Sequence, residues 1–275
     1  MTRGARLGML AALGAGLVAC APAVTPKEPG PKTLAEWRGA LADLRALRAI
    51  AEGGGPHTLK LSLALREPYT GRRTEARGAV ALSPADRAVR MILVGPGGTT
   101  AFDLWIRADE FRVSIPAIDL LRRGDAATPK AEMRGLPVDF LRFWLLDPTR
   151  GDLLWFERSA AKTTYVLRED GAVTSLDVLA GGGFEALRET WATPRAGGSA
   201  PHDTSAAGRT AAGGARRERI DEERVTADKL GCGHARYTQA STGVEIEITC
   251  EGVEPNPPSA RAFADPDAPE PEEEP

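Results

Sequence analysis

Residues 59–66 constrain the fold of this chain most: Leu59, Leu61, Leu63 and Leu65 are separated by Lys60, Ser62, Ala64 and Arg66. A period of two places every leucine on one face of an extended strand, which excludes a helix here and calls for a sheet with one dry side. The pattern returns at 77–82, 89–94, 101–106 and 111–115. The separators Pro68-Tyr69-Thr70-Gly71, Ser83-Pro84-Ala85-Asp86, Gly95-Pro96-Gly97-Gly98 and Arg107-Ala108-Asp109-Glu110 are turn formers. Connections this short join antiparallel neighbours, so the first half reads as a meander. Further strands are predicted at 153–157, 163–168, 174–179, 185–192 and 217–225, and a last hairpin pairs 234–240 with 244–250.

Two segments carry the helical period instead. Thr33-Leu34-Ala35-Glu36 has the form of a capping box, so a helix should start at Leu34. Leu34, Trp37, Leu41, Leu44, Leu47 and Ile50 then follow at three- and four-residue steps as one apolar stripe, and Gly53-Gly54-Gly55-Pro56 ends it. Residues 136–146, Leu-Pro-Val-Asp-Phe-Leu-Arg-Phe-Trp-Leu-Leu, suit a second, short helix with Pro137 in its first turn and Asp147-Pro148 as its stop.

The N-terminus bears on location. Arg3 and Arg6 precede an apolar run from Leu7 to Val18, and Leu17-Val18-Ala19-Cys20 closes it with small residues before a cysteine. This resembles a bacterial lipoprotein signal with its lipobox. As a helix the run would reach about 18 Å, short of the ~30 Å hydrocarbon layer, so it reads as a processed signal over 1–19 and not as a span. The resemblance implies a lipid on Cys20, with two or three acyl chains holding the protein to the membrane firmly; an ordinary secretory signal cut near Ala19 or Ala21 is the alternative. Ala21 after the lipid cysteine favours sorting to the outer membrane, facing the periplasm. Residues 20–32, with Pro22, Pro26, Pro29 and Pro31, read as a tether to a domain over 33–254.

Charge excludes one class of partner. The whole chain carries −3; without Arg3 and Arg6 this is −5, and since residues 251–275 hold −7, residues 20–250 hold about +2. No basic excess exists to attract nucleic acid. The acidic, proline-rich 255–275 and the Gly/Ala/Ser/Thr-rich insertion 195–215 are predicted to be disordered, since neither can bury enough apolar surface. With Cys20 consumed by lipid, Cys232 and Cys250 remain as a pair, each nine residues from Ser241. A hairpin centred on Ser241 would set them opposite one another, close enough for a disulfide. The competing chemistry is a metal site built on Cys232, His234 and Cys250, which lacks a fourth ligand and the usual paired spacing.

The stretch Arg90-Met91-Ile92-Leu93-Val94-Gly95-Pro96-Gly97-Gly98-Thr99-Thr100-Ala101-Phe102-Asp103-Leu104, followed by Phe111-Arg112-Val113-Ser114-Ile115-Pro116 and then by Leu136-Pro137 and Phe140-Leu141, resembles the LolA/LolB-like lipoprotein-carrier superfamily. The resemblance covers roughly residues 33–250. It implies a mainly β fold, an open antiparallel β-barrel of about ten or eleven strands, with the N-terminal amphipathic helix and the short mid-chain helix over its concave face. It further implies a monomer that takes acyl chains, of a lipid or a lipoprotein, into an apolar half-barrel. A sheet curled this far has an interior too wide for its own side chains, so either a helix plugs it or a ligand fills it. Candidate lining residues are Leu61, Leu63, Leu65, Val80, Leu82, Met91, Leu93, Phe102, Leu104, Ile106, Phe111, Val113 and Ile115, with Trp37, Leu41, Leu44 and Trp144 from the helices. The alternative is the same barrel permanently filled, acting as a docking subunit of an envelope complex.

Catalytic signatures were sought. The sequence holds no G-x-S-x-G elbow, no H-E-x-x-H and no Walker-type loop, and its histidines are His57, His202 and His234. Isolated carboxylates such as Asp103 and Asp139 are what a hydrolase would have to use. The expectation is a non-catalytic protein without cofactor or metal. Cys20→Ser should release the protein from the membrane while residues 33–250 stay folded, because the anchor lies outside the core; retention of the variant in carbonate-washed membranes would contradict the lipidation.

Overall fold

The computed structural model describes residues 32–192 and 219–268, apart from positions 67, 134 and 170. The predicted signal, Cys20, the tether as far as residue 31 and the insertion at 195–215 lie outside the described residues.

One helix and thirteen strands dominate. Helix α1 (Leu34–Glu52) starts at the predicted capping box, with Thr33 Oγ1 accepting from the Glu36 amide, and ends where Gly53 adopts the left-handed conformation at φ 62°. The strands are β1 (His57–Arg66), β2 (Arg73–Ser83), β3 (Ala88–Val94), β4 (Thr100–Arg107), β5 (Glu110–Ile115), β6 (Leu120–Gly124), β7 (Asp152–Arg158), β8 (Lys162–Glu169), β9 (Ala172–Leu179), β10 (Phe184–Trp191), β11 (Arg219–Ala227), β12 (His234–Gln239) and β13 (Glu245–Val253). They form a single sheet in the order β6-β5-β4-β3-β2-β1-β13-β12-β11-β10-β9-β8-β7, and its ladders are antiparallel.

This order explains the architecture. The chain enters in the middle of the sheet at β1 and runs by hairpins outward to one edge, β6. It then crosses to the opposite edge, β7, and returns by hairpins to β13, which closes against β1. The two edges are not paired to each other, so the barrel is open. The crossing over residues 125–151 contains α2 (Val138–Phe140), continued by a π-helical turn (Leu141–Leu146). The predicted mid-chain helix is therefore present, shorter and wider-wound than expected.

Alternation holds across the sheet. Leu59, Val80, Met91, Leu104 and Val113 are successive register partners from β1 to β5, and all are buried. Lys60 and Arg66, out of phase with them, are exposed. Gly78 on β2 permits a close strand approach: a Cβ there would stand 2.0 Å from the Ile92 carbonyl oxygen.

Four expectations are corrected. The sheet has thirteen strands instead of ten or eleven; the one with no counterpart in the sequence reading is β6, whose Leu-Leu-Arg-Arg-Gly sequence does not alternate and whose Leu121 is exposed. Residues 255–268 of the acidic tail are not disordered but form a strap over the outer side of β3–β6. Trp105 Nε1 donates to the Phe263 carbonyl oxygen (3.0 Å), Arg112 meets Asp267 (2.9 Å), and Arg123 meets Asp265 and Asp267. The strap is why Asp103 and Trp105, on the outer face of β4, are buried. The buried face of α1 runs through Ala40, Leu44 and Ala51, leaving Leu34, Leu41 and Ile50 exposed, because the small side chain of Ala40 lets the helix approach the sheet. Finally, the last hairpin pairs His234 with Thr249, one residue out of the predicted register.

The disulfide forms nonetheless. Cys232 lies in the bend before β12, and its Cα stands 5.0 Å from that of Cys250, which sits beside Leu61 on β13. Both thiols are thus used, and the His234 ring meets Glu247 at 3.0 Å instead of a metal. Replacing both cysteines with serine, which opens a loop of sequence separation 18, should lower stability by about 3 kcal/mol in urea denaturation. An unchanged midpoint would show that the bridge does not form.

Candidate functional site

Two segments cover the concave face. α1 packs over β7–β9, where Ala40 and Leu44 meet Phe156, Tyr165 and Leu167, with Trp37 tilted 5.7 Å from the Phe156 ring. The crossing segment occupies the rest. Val138, Phe140, Leu141, Phe143, Trp144, Leu145 and Leu146 are all buried, and they share one core with the inward residues of β1–β5 and β9–β13. Arg48 of α1 fixes the exit of this segment, donating to the carbonyl oxygens of Thr149 (3.0 Å) and Gly151 (2.6 Å).

The residues proposed to line a cavity fall accordingly. Leu61, Leu63, Val80, Leu82, Met91, Leu93, Leu104, Ile106, Phe111, Val113 and Trp144 lie buried in the core shared with the crossing segment, while Leu65, Phe102 and Ile115 pack partly buried against it. Trp37 and Leu44 belong to the separate cluster under α1. Leu41 faces solvent. The apolar concavity is therefore filled, by a connection between strands and not by the strands' own side chains.

Beyond this core the inward face changes character. Leu176, Ala186, Val225 and Tyr237 form one row across β9–β12; two residues further along, Thr174, Arg188, Glu223 and Gln239 form the next. These polar groups meet the polar side of the crossing segment. Gln239 Nε2 donates to Asp139 Oδ2 and Asp221 Oδ2, both at 2.7 Å, and Lys130 Nζ lies 2.6 Å from the same Asp139 oxygen. Tyr237 Oη donates to Glu223 Oε1 at 2.7 Å. A chamber of about 460 Å³ opens beside this network, bounded by Lys130, Asp139, Arg142, Phe143, Leu146 and Asp147 of the crossing segment, by Arg87 and Asp109 of the loops, and by Arg150, Glu169, Arg188 and Glu223.

Burial and charge set the protonation states here. Burial pushes Glu223 up to about 7, with the Asp139 charge adding to the shift. Burial also acts upward on Asp139, but Lys130 and the Gln239 amide outweigh it and hold that carboxyl below its ordinary value. Asp147 is raised, again by burial, and Tyr237 is driven well above the phenol range by burial and by Glu223. Asp103, the other isolated carboxylate, is on the opposite face of the sheet, paired with Arg90 and Arg112. Among the described residues no cluster of three or more metal-ligating side chains occurs.

No family model and no curated protein matches the chain. Among solved structures it is similar to a LolA superfamily protein from Nitrosomonas europaea, at 10% identity over 82% of this chain and 97% of that one, with a TM-score of 0.48. It is similar also to a putative outer membrane lipoprotein-sorting protein domain from Vibrio parahaemolyticus (11% identity, 81% and 95%, TM-score 0.44) and to lipoprotein LppX of Mycobacterium tuberculosis (12%, 79% and 97%, TM-score 0.24). The architecture found in the chain itself, an open one-sided antiparallel sheet with helices on its concave side, is the one the sequence resemblance implied.

The polar chamber was missed from sequence because its residues sit in phase with apolar ones. Ala186, Arg188 and Thr190, or Val225, Glu223 and Asp221, alternate like any half-buried strand; the available signal was a charge where the phase requires an inward residue. Glu223 binds a proton in the folded state between its ordinary value and about 7 that the unfolded chain has released, so stability falls as pH rises across that window. Glu223→Gln, which keeps an acceptor for Tyr237, should therefore stabilise the protein by roughly 2–3 kcal/mol at pH 8 and by little near pH 4.5. Melting curves that shift equally at both pH values would place the Glu223 titration elsewhere.

Proposed function

We propose that this is a membrane-anchored lipoprotein of the outer membrane, facing the periplasm, whose half-barrel binds acyl chains of a lipid or of a lipoprotein. Residues 1–19 are its signal, Cys20 carries the lipid, and 20–32 form the tether to the domain. One observation supports acyl binding above all: the apolar concavity is filled by the crossing segment 138–146, which belongs to no sheet ladder and no disulfide among the described residues and meets the strands through side chains, as Gln239 meets Asp139. A core completed by a connection can be vacated without dismantling the sheet.

The magnitudes limit the cargo. Seven buried apolar side chains of residues 138–146 hold the segment with about 10–20 kcal/mol of transfer energy, at about 1.5–3 kcal/mol each. A single chain of about fifteen methylenes returns about 12 kcal/mol at ~0.8 kcal/mol per CH₂. One chain falls within the range that holds the segment, and two or three chains exceed it. Lipids and triacylated lipoproteins therefore offset its release by a wider margin than free fatty acids.

The permanently filled docking module is the second reading, and the complete burial of Val138, Phe140 and Leu141 favours it. Native mass spectrometry of the protein from its own membrane separates the two. A carrier should arrive with bound lipid, and Phe140→Ala should lower its stability by about 3–5 kcal/mol while raising uptake of a fluorescent diacyl probe tenfold or more. Wild-type protein that melts cooperatively yet carries and takes up no lipid is a docking module.

A further inference from the structure

The chamber beside the crossing segment is lined by both cations and carboxylates, most of them paired. Arg87 pairs with Asp109 at 3.2 Å, Lys130 with Asp139 at 2.6 Å, and Arg150 with Glu169. Arg142 has no carboxylate within ion-pair distance among the described residues. Its Nη2 donates to the Asp109 carbonyl oxygen, and its buried Nε has no partner. Arg188, on the facing strand β10, has carboxylates of Glu169 and Glu223 only at 3.9 Å, too far for the paired N–H···O geometry that a guanidinium prefers.

These two arginines are held as a pair. Arg142 lies over the Phe111 ring at 5.7 Å and Arg188 over the Phe143 ring at 5.5 Å, which fixes both planes. Burial lowers Arg142 from the ordinary arginine value; the charges of Asp139 and Asp109 oppose that shift, and those of Arg87 and Arg188 add to it. With Glu223 raised to about 7, part of the opposing negative charge is absent at neutral pH. An anion entering the chamber would accept from the guanidinium groups of Arg142 and Arg188, planar forks that suit phosphate oxygens. The chamber also has an apolar wall, Phe143 and Leu146, on the segment that fills the core.

We propose that the chamber binds the phosphate of an acyl lipid through Arg142 and Arg188, with the lipid's ester arm leading along Phe143 and Leu146 toward the apolar core. The proposal rests on the acyl-binding function above and names its substrate class. The same chemistry would hold free phosphate, and the test separates the two sources.

The full chain in a nonionic detergent is titrated calorimetrically with inorganic phosphate, with dihexanoyl phosphatidate and with the matching dihexanoylglycerol. The expected order puts phosphatidate at least tenfold tighter than either of the others. Arg142→Gln and Arg188→Gln should each weaken phosphatidate about tenfold and leave dihexanoylglycerol unchanged. Each variant is melted first; if Arg142→Gln does not unfold cooperatively, Arg188→Gln and the charge-keeping Arg188→Lys decide. Equal affinity for phosphatidate and dihexanoylglycerol would overturn the headgroup assignment while leaving acyl binding intact. Phosphate bound as tightly as phosphatidate, with no dihexanoylglycerol bound, would overturn the lipid assignment. Binding of none of the three would overturn the phosphate site, while acyl binding itself stands or falls on the lipid found by native mass spectrometry.

Discussion

Because a half-barrel of thirteen strands curves too widely for residues on opposite sides to meet, its inward side chains stay wet unless something else reaches them. In a sandwich that partner is a second sheet about 10 Å away; here it is the chain's own passage from one edge strand to the other. Helix α1 covers β7–β9, and the crossing covers the rest. A chain that begins in mid-sheet at β1 and fills one wing as far as β6 must cross the opening to start the other at β7, and residues 138–146 are the apolar part of that crossing. The dryness of Leu59, Val80, Met91, Leu104 and Val113 depends on it, and so does the seat of α1, tied through Arg48 to the segment's exit at Thr149 and Gly151.

The outer side of the first wing meets a related difficulty. β6 is an edge strand, and exposed edges invite pairing with other chains. Arg122 and Arg123 put charge along it, and Arg123 holds the strap through Asp265 and Asp267. Arg112 binds Asp267 from one side and Asp103 from the other, so strap, β4 and β5 are joined by one ionic chain. The Arg123 pairs are largely exposed and contribute little each; Trp105, buried beneath the strap with its indole N–H bonded to Phe263, supplies the apolar part of the attachment.

The physical origin of each signal decided what the sequence disclosed. Alternation at Leu59–Leu65 is a direct print of a one-sided sheet, and the capping box at Thr33 is a local bond between residues three apart, so both were legible. β6 was not, because an edge strand with exposed residues has no polarity pattern to print. The strap was read as disordered because composition counts acids without their partners, and Arg112 and Arg123 stand more than 140 residues from Asp267 in the chain. The rotation of α1 onto Ala40 was hidden for a different reason: hydropathy ranks leucine above alanine, whereas close helix-to-sheet contact selects the small side chain. The one-residue difference in the last hairpin came from a turn closed by the Gly243 amide on the Gln239 carbonyl, a geometry that symmetry about Ser241 does not encode.

The polar row beside the core changes what vacating it would entail. Asp139 sits in the crossing segment but is satisfied partly by Gln239 on β12, which also holds Asp221. If the segment left, Asp139 would keep Lys130, which travels on the same crossing, while Gln239 would lose one of its two acceptors and Asp221 would keep Gln239 and the Ser241 amide but lose Lys130, 3.8 Å away. Asp221 then keeps hydrogen bonds but no cation, a cost of the kind that breaking a buried ion pair carries. The apolar contacts of 138–146 therefore act together with the Lys130–Asp221 contact in holding the segment. A segment joined in this way is strongly seated, and its departure is opposed chiefly by hydrophobic burial.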